Sequence, residues 1–175
     1  MTIDIPKGVL FDLDQTLIDS SSLEYLRNER KWQEIYGRIS SLKPYPGISE
    51  ILDILKRLDC RVGIVTSAPT PYCSRILTCF GWKVDAKVCY HDTSRHKPHP
   101  DPLLKGLELL RINACDCISI GDSSDDIIAS KAAQIFSIAA LWGSRDPQST
   151  INVQPDHICL TTQDLRSYLL EFIPH

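Results

Sequence analysis

The sequence contains no apolar run long enough to cross a bilayer, because no segment approaches the roughly 20 consecutive apolar residues that a transmembrane helix needs. Its beginning, MTIDIPK, lacks the positively charged start and the apolar stretch of a signal peptide. Internal repeats and low-complexity tracts are absent as well. These absences predict a cytoplasmic protein that does not associate with a membrane.

An excess of positive charge is also absent, since 19 lysines and arginines stand against 22 aspartates and glutamates, for a formal net charge of -3. A chain with this balance has no general electrostatic attraction to nucleic acid or to an anionic membrane surface. We therefore expect nucleic acid only as a phosphorylated substrate. The 175 residues, 43% of them hydrophobic, suffice for one globular domain over 1–175 with a substantial core.

The seven cysteines lack the paired spacing of a zinc site. Cys115 and Cys117 are the closest pair, with one intervening residue, and no second pair follows them. The number is odd, and most of the cysteines lie in apolar segments. We expect them to be small, reduced core residues.

Strand-like and helix-like segments alternate along the chain, which predicts an α/β fold with a doubly wound, mostly parallel sheet covered by helices on both faces. The predicted strands are 8–13, 61–66, 85–90, 117–121, 136–141 and 157–160. The predicted helices are 48–58, 103–110, 124–134 and 163–172.

One segment, 19–46, interrupts this alternation and is longer than most connections between elements. Trp32, Ile35, Tyr36 and Ile39 recur in it at helical spacing, a stripe more typical of core packing than of a substrate platform. We predict a short helical cap insertion that is too small to be a domain of its own. Its basic stretch, 27–31, has two interpretations: a solvated helix face, or a contact with an anionic substrate.

The stretch GVLFDLDQTLIDS places Asp12 and Asp14 directly after an apolar run that predicts a buried strand. Residues two apart in a strand project to the same side, so the two carboxylates are expected to share one small volume. At roughly 5 to 6 Å and an effective dielectric near 20, such charges repel by about 3 kcal/mol. The pattern therefore predicts a cation or a shared proton beside them.

The polar residues that follow the other predicted strands supply candidate partners. In an open α/β sheet, ligands bind beyond the carboxyl ends of the strands, near the point where the strand order reverses. Carboxylates such as Asp12 and Asp122 suit Mg²⁺, whereas hydroxyls, main-chain N–H groups and a lysine suit phosphate oxygens. The candidates in this set are Asp12, Asp14, Thr16, Thr66, Ser67, Lys97 and the acids of GDSSDD, residues 121–126.

Each of these signals has a less specific interpretation when taken alone. Asp12 and Asp14 can form an Asx turn and a helix cap, and the acids of GDSSDD can simply complement a helix dipole. Asp125 is expected to be solvated. His91, His96 and His99 lie close enough together for a transition-metal site, but their loop is rich in proline and the oxygen-rich pocket suits a hard ion.

Taken together, four blocks resemble the signature of the haloacid dehalogenase superfamily in type, order and strand position. They are DLDQT, the hydroxyl residue of VTSAP, the lysine of KPHPD and the acids of GDSSDD. The resemblance extends over nearly the whole chain. KPHPDP and GDSSDD are most similar to the branch that resembles phosphoglycolate phosphatase, here with a very short cap.

The resemblance implies a role for each candidate residue. Asp12 is the nucleophile that forms an aspartyl phosphate, and Asp14 is the general acid and base. The carboxylates of Asp12 and Asp122 and the main-chain carbonyl of Asp14 hold Mg²⁺, and Asp126 and Thr16 support these ligands without touching the ion. The residues implied in phosphoryl binding are Thr66, Ser67 and Lys97.

The resemblance also implies a reaction class, an Mg²⁺-dependent phosphatase acting on a phosphomonoester. Asp14 argues against carbon–halogen cleavage, which has no leaving oxygen to protonate. Two alternatives remain: a phosphomutase, against which the short cap argues, and a non-enzymatic binding module, against which the complete set of residues argues. A short cap leaves the site open, so the phosphorylated substrate is either a small molecule or a macromolecule.

Overall fold

The computed structural model describes residues 6–171, and a six-stranded parallel sheet lies at its centre. The strands are β1 (Gly8–Phe11), β2 (Ile18–Asp19), β3 (Lys43–Pro44), β4 (Arg61–Val65), β5 (Ala86–Val88), β6 (Cys117–Gly121), β7 (Phe136–Ala140) and β8 (His157–Cys159). The sheet has the order β5-β4-β1-β6-β7-β8, and β2 pairs antiparallel with β3 outside it. Every predicted strand is present, although those at 8–13 and 85–90 are shorter than predicted.

Eight α-helices occupy the described residues. They are α1 (Glu24–Asn28), α2 (Trp32–Tyr36), α3 (Ile48–Arg57), α4 (Thr70–Phe80), α5 (Asp101–Leu110), α6 (Ser124–Ala132), α7 (Pro147–Asn152) and α8 (Thr162–Leu170). The helices predicted at 48–58, 103–110 and 124–134 are α3, α5 and α6. The helix predicted at 163–172 is α8, and position 172 lies outside the described residues. None of the helices within 6–171 has the length and apolar content to span a bilayer.

The two faces of the sheet pack against different helices. Val9 and Phe11 of β1 belong to one apolar cluster, which includes buried side chains of α3, α4 and α8. Leu10, which points to the other face, packs in a second cluster with side chains of α5 and α6. This alternation along one strand is the pattern of a sheet covered on both sides. The predicted doubly wound α/β fold is confirmed.

The segment 19–46 contains α1, α2 and two 3₁₀ turns between the paired strands β2 and β3. Ile35 and Ile39 are buried, and Trp32 and Tyr36 pack against the same apolar cluster that α3 and α4 form. The predicted apolar stripe is therefore part of the core. All seven cysteines are free thiols, and five of them are buried, as their apolar surroundings predict.

The order of the strands determines where a ligand can bind. The chain moves from β1 outwards through β4 and β5, and then crosses to β6 on the other side of β1. The carboxyl ends of β1 and β6 therefore lie side by side at the point where the strand order reverses. Such a point is the usual binding crevice of an open α/β sheet.

Candidate active site

A cavity of about 530 Å³ opens at the carboxyl ends of the strands. Its floor comes from the loops after β1, β4 and β6, which contribute Asp12, Thr66 and Asp122. Its rim includes Arg27 and Trp32 of the segment 19–46. The segment 19–46 therefore reaches the cavity, and the volume lies in the range of ordinary small-molecule sites.

Three carboxylates converge at the floor of this cavity. Asp12, Asp122 and Asp126 each offer an oxygen, and these oxygens lie within 4.8 Å of one another. Asp126 belongs to the first turn of α6, where it forms a capping box with Ser123. A Cβ atom at Gly121 would collide with the side chain of Asp126, so glycine at the end of β6 permits this close approach.

Lys97 provides the positive charge between two of these carboxylates. Its Nζ donates to Asp12 Oδ1 at 2.8 Å, to Asp126 Oδ1 at 2.6 Å and to the carbonyl oxygen of Val65 at 3.0 Å. The side chain is only 7% exposed. Burial alone lowers the pKa of a lysine, but Asp12 and Asp126 outweigh this effect and raise the pKa of Lys97. Lys97 is therefore cationic at neutral pH.

Burial desolvates the carboxyl groups of Asp12 and Asp122, so both hold a proton more tightly than usual. Burial raises the pKa of Asp12 to about 7, with a further contribution from Asp126, although Lys97 opposes both effects. Burial and the charges of Asp12 and Asp126 raise the pKa of Asp122 to about 8. One lysine thus does not fully compensate the three carboxylates, and the site favours an additional cation.

The chemistry of these donors fits a hard divalent cation. The ligands on offer are all carboxylate oxygens, which suit Mg²⁺ rather than a soft transition metal. Asp126 already accepts hydrogen bonds from Lys97 and from both the main-chain N and the hydroxyl of Ser123. Asp12 and Asp122 are therefore better placed than Asp126 to serve as ligands.

The three histidines, for which a transition-metal site is the less favoured interpretation, are not in the metal-compatible group found within residues 6–171, which consists of Asp12, Asp122 and Asp126. His96 instead stacks on the ring of Tyr90, with centroids 4.1 Å apart. The Nδ1 atom of His99 lies 3.1 Å from Asp101. These contacts favour the interpretation of the loop as a structural segment.

Asp14 lies in the same cavity but has its own partners. A strand over 8–13 would direct the side chains of Asp12 and Asp14 to the same side. Instead, β1 ends at Phe11 and the chain turns at Leu13. The carbonyl oxygen of Leu13 accepts from Leu17 N at 2.9 Å. Asp14 Oδ1 accepts from Ser20 Oγ at 2.6 Å and Tyr72 Oη at 2.6 Å, and forms an ion pair with Arg27 at 2.8 Å. Distinct hydrogen-bond partners thus surround the two carboxylates.

The predicted hydroxyl residues also lie at or behind the cavity. Thr66 and Ser67 follow β4 and line it, and Thr66 Oγ1 accepts from Ala68 N at 3.1 Å. Thr16 is buried, and its Oγ1 donates to Asp122 Oδ1 at 3.0 Å. Asp125 is exposed, as predicted. The structure therefore brings the predicted residues together, and their chemical roles stay predictions.

Sequence reasoning missed the partners of Asp14. Tyr72 belongs to no recognisable block, and only its position in the folded chain brings it to Asp14. Ser20 ends the stretch GVLFDLDQTLIDS, but nothing in that pattern marks it as a partner of Asp14. Arg27 does lie in the basic stretch 27–31, whose two interpretations from the sequence are a solvated helix face and a contact with an anionic substrate. It is partly buried and pairs with an acid of the protein itself.

Fold and site together define the class: a doubly wound α/β protein whose switch point has a carboxylate cluster with a buried lysine. The chain belongs to the family of haloacid dehalogenase-like hydrolases. The model of that family matches residues 22–140, about two thirds of the chain.

The chain is also similar to individual members of this family. It is 35% identical over 136 residues to phosphoglycolate phosphatase from Xylella fastidiosa, an alignment that covers 77% of this chain and 57% of that protein. The chain thus spans less than two thirds of the length of this relative. The predicted resemblance to the branch of phosphoglycolate phosphatases is confirmed at the level of family.

Solved structures share the fold. A hydrolase from Pseudomonas syringae superposes with a TM-score of 0.82 at 19% identity, covering 96% of this chain and 100% of that chain. CbbY from Rhodobacter sphaeroides, solved in complex with phosphate, superposes with a TM-score of 0.80 at 16% identity, covering 91% and 96% of the two chains. At these identities the similarity shows the architecture.

Proposed function

We propose that the protein is an Mg²⁺-dependent phosphatase that hydrolyses a phosphomonoester through an aspartyl phosphate on Asp12. The observation that carries the proposal is the buried Lys97, whose Nζ lies 2.8 Å from Asp12 Oδ1 at the floor of the cavity. A carboxylate that attacks a phosphate dianion needs positive charge beside it, and Lys97 supplies part of that charge. The similarity to phosphoglycolate phosphatase supports the same reaction class.

In the first transfer, a carboxylate oxygen of Asp12 attacks phosphorus and the bond from phosphorus to the leaving oxygen breaks. Asp14 donates its proton to that oxygen, so that an alcohol departs instead of an alkoxide. The product is a mixed anhydride of phosphate with Asp12. Both side chains line the cavity in which the substrate would lie.

In the second transfer, water replaces the alcohol as the nucleophile. Asp14, now ionised, takes a proton from the water as its oxygen attacks phosphorus. The bond between phosphorus and Asp12 breaks, which releases inorganic phosphate and restores the carboxylate. Lys97 stays within hydrogen-bond distance of Asp12 and stabilises that carboxylate when it leaves.

The residues proposed to hold Mg²⁺ are Asp12, Asp122 and the main-chain carbonyl of Asp14. The ion, when bound, supplies positive charge that offsets the negative charge of the transferring phosphoryl group. Thr16 and Asp126 would orient the site from behind: Thr16 through its hydrogen bond to Asp122, and Asp126 through its ion pair with Lys97.

The proposed phosphate contacts are the hydroxyls of Thr66 and Ser67 and the ammonium group of Lys97. Thr66 and Ser67 lie directly after β4, next to β1 in the sheet. Phosphate bound in the CbbY structure supports a phosphate site on this fold. The cavity volume of about 530 Å³ favours a small phosphorylated molecule as the substrate, with the short helical cap at 19–46 forming part of its wall.

The test is phosphate release from a panel of phosphomonoesters of increasing size, with Mg²⁺ or with EDTA. We expect release with Mg²⁺ and none with EDTA, and a preference for small substrates. Transfer of phosphate between two hydroxyls of one substrate, without release, would establish a mutase instead. No turnover of any substrate would support a binding module.

A further inference from the structure

We propose that Arg27, Tyr72 and Ser20 are positioning residues, which hold Asp14 by one carboxylate oxygen and thereby direct its acidic proton to the other oxygen. The inference rests on the proposed role of Asp14 as the general acid. It gives the short cap a part in the reaction, because Arg27 belongs to α1.

Two hydroxyl donors and one cation meet on the same atom: Ser20 and Arg27 come from the segment 19–46, and Tyr72 comes from α4. Ser20 Oγ and Tyr72 Oη each lie 2.6 Å from Asp14 Oδ1, and Arg27 lies 2.8 Å from it. Ser20 is itself held in place, since its main-chain N donates to Gln15 Oε1 at 2.8 Å. Tyr72 and Ser20 are 0% exposed, so neither competes with bulk water for its partner.

The number of donors decides where the proton of Asp14 can lie. A carboxylate oxygen has two lone pairs, so an oxygen that already accepts hydrogen bonds from two hydroxyl groups and lies against a guanidinium group has no room for a proton. When Asp14 is protonated, the proton therefore belongs to Oδ2. With Oδ1 fixed by three contacts, the carboxyl group cannot exchange its two oxygens by rotation without breaking them.

The donors keep their hydrogens under working conditions. Arginine stays charged at any relevant pH. Burial and the neighbouring Asp14 raise the pKa of Tyr72 well above its ordinary value, so its hydroxyl remains a donor.

The dependence of the rate on the leaving group distinguishes positioning of an acid from a structural role. A phosphomonoester of an aliphatic alcohol needs protonation of its leaving oxygen, whereas p-nitrophenyl phosphate leaves as a stable phenolate and needs little. We compare kcat/KM, which reports the first transfer, for both substrates in Tyr72→Phe, Arg27→Gln and Arg27→Lys. Each variant is checked for an unchanged fold by circular dichroism and Tm.

We expect Tyr72→Phe and Arg27→Gln to lose at least about 10-fold in kcat/KM on the alkyl phosphate, which is part of the 10² to 10⁴-fold that general acid catalysis contributes in full. The loss on p-nitrophenyl phosphate should stay below about 3-fold, because protonation contributes little there. Arg27→Lys should recover part of the loss. The matched controls Tyr25→Phe and Arg38→Ala remove a hydroxyl and a charge from exposed cap residues and should leave both rates unchanged.

Equal losses on both substrates, or no loss on either, in folded Tyr72→Phe would overturn the inference. Asp14→Asn in the same assay separates this failure from that of the proposed function. If Asp14→Asn selectively loses alkyl phosphate hydrolysis and Tyr72→Phe does not, the positioning role is wrong and the acid is right. If Asp14→Asn hydrolyses both substrates like the wild type, the proposed function and the inference fail together. Should Arg27→Gln fail to fold, Tyr72→Phe alone decides.

Discussion

At the scale of single residues, the site consists of acids whose negative charge is only partly compensated. Lys97 contacts Asp12 and Asp126, while Asp122 accepts a hydrogen bond from the neutral Thr16. The raised pKa values of Asp12 and Asp122 express the same imbalance. Incompletely compensated buried carboxylates destabilise the fold, which suggests that they serve to bind a cation together with an anionic substrate.

Replacement of the nucleophile is the first residue-scale prediction. Asp12→Asn should lower the rate of phosphate release at least about 1,000-fold, because an amide cannot form the anhydride. The fold should persist, since the substitution removes one of several repelling charges. The control is Asp53→Asn, an exposed carboxylate of α3, for which the rate should not change. Wild-type activity in Asp12→Asn would exclude the covalent route.

The second residue-scale prediction concerns removal of the buried positive charge of Lys97. Lys97→Met should destabilise the protein by about 3 to 5 kcal/mol, because it leaves two buried carboxylates without their partner. Chemical unfolding measures this difference. Lys105→Met is the matched control, since Lys105 forms an exposed ion pair with Glu108 that is worth about 0 to 1 kcal/mol. Equal stability of the two variants would contradict the structural role assigned to Lys97.

How far the sequence predicts the site also depends on individual residues. Asp12, Thr66, Lys97 and Asp122 follow strands or lie in blocks of recognisable spacing, so their convergence follows from the topology of the sheet. Tyr72 lies on α4 and has no such marker. Its contact with Asp14 depends on packing between distant parts of the chain, which no local pattern expresses.

At the scale of elements, the loops after β1 and β7 support each other. Trp142 Nε1 donates to the carbonyl oxygen of Thr16 at 3.0 Å. A Cβ atom on Gly143 would collide with the carbonyl oxygen of Gln15, so the two backbones touch at this point. The loop after β7 thereby fixes the turn that presents Asp14 to the cavity.

This contact predicts the effect of adding one methyl group. Gly143→Ala should destabilise the protein by about 1 to 3 kcal/mol, because backbone rather than a flexible side chain must move. It should also reduce activity by displacing the turn at residues 14–16. Gly37→Ala is the matched control, because a Cβ atom added at Gly37 would lie at an ordinary contact distance from its neighbour and the φ of -71° suits alanine. A melting curve for each variant decides, and an unchanged Tm for Gly143→Ala would refute the close contact.

Sequence patterns located most elements and missed two helices. α4 follows Pro69 and has Pro71 in its first turn, and proline there is compatible with a helix because the first N–H groups have no partner anyway. Its buried face is formed by Tyr72, Cys73 and Ile76, a pattern too short to stand out. α7 has only six residues and one buried position, Thr150, so hydrophobic periodicity does not reveal it.

At the scale of the whole molecule, the strand order places two halves of the chain around one switch point. Because Asp12 and Asp122 lie at that point, their protonation changes the stability of the whole fold. Asp12, with a pKa of about 7, and Asp122, with a pKa of about 8, bind protons in the folded state over a range where the unfolded chain has lost them. Between about pH 4 and pH 8 the native state thus holds more protons, so stability falls as pH rises.

Mg²⁺ should reverse part of this trend. The ion binds the deprotonated carboxylates, so protons compete with it and its stabilising effect grows with pH. We expect the Tm without metal to fall between about pH 5 and pH 8, and the increase in Tm caused by Mg²⁺ to be larger at about pH 8 than at about pH 5. Thermal melts with Mg²⁺ or EDTA at both pH values measure this. An equal Mg²⁺ effect at both would place the ion elsewhere.

The most direct test of the central claim needs no knowledge of the natural substrate. Beryllium trifluoride imitates a phosphoryl group on an aspartate carboxylate, and a ligand of the native state raises its Tm. With Mg²⁺ and beryllium trifluoride together, at about 100-fold excess over Kd, the wild type should melt about 5 to 10 °C higher, and Asp12→Asn should show no such increase. An equal shift in both proteins, or none in the wild type, would contradict Asp12 as the phosphoryl acceptor.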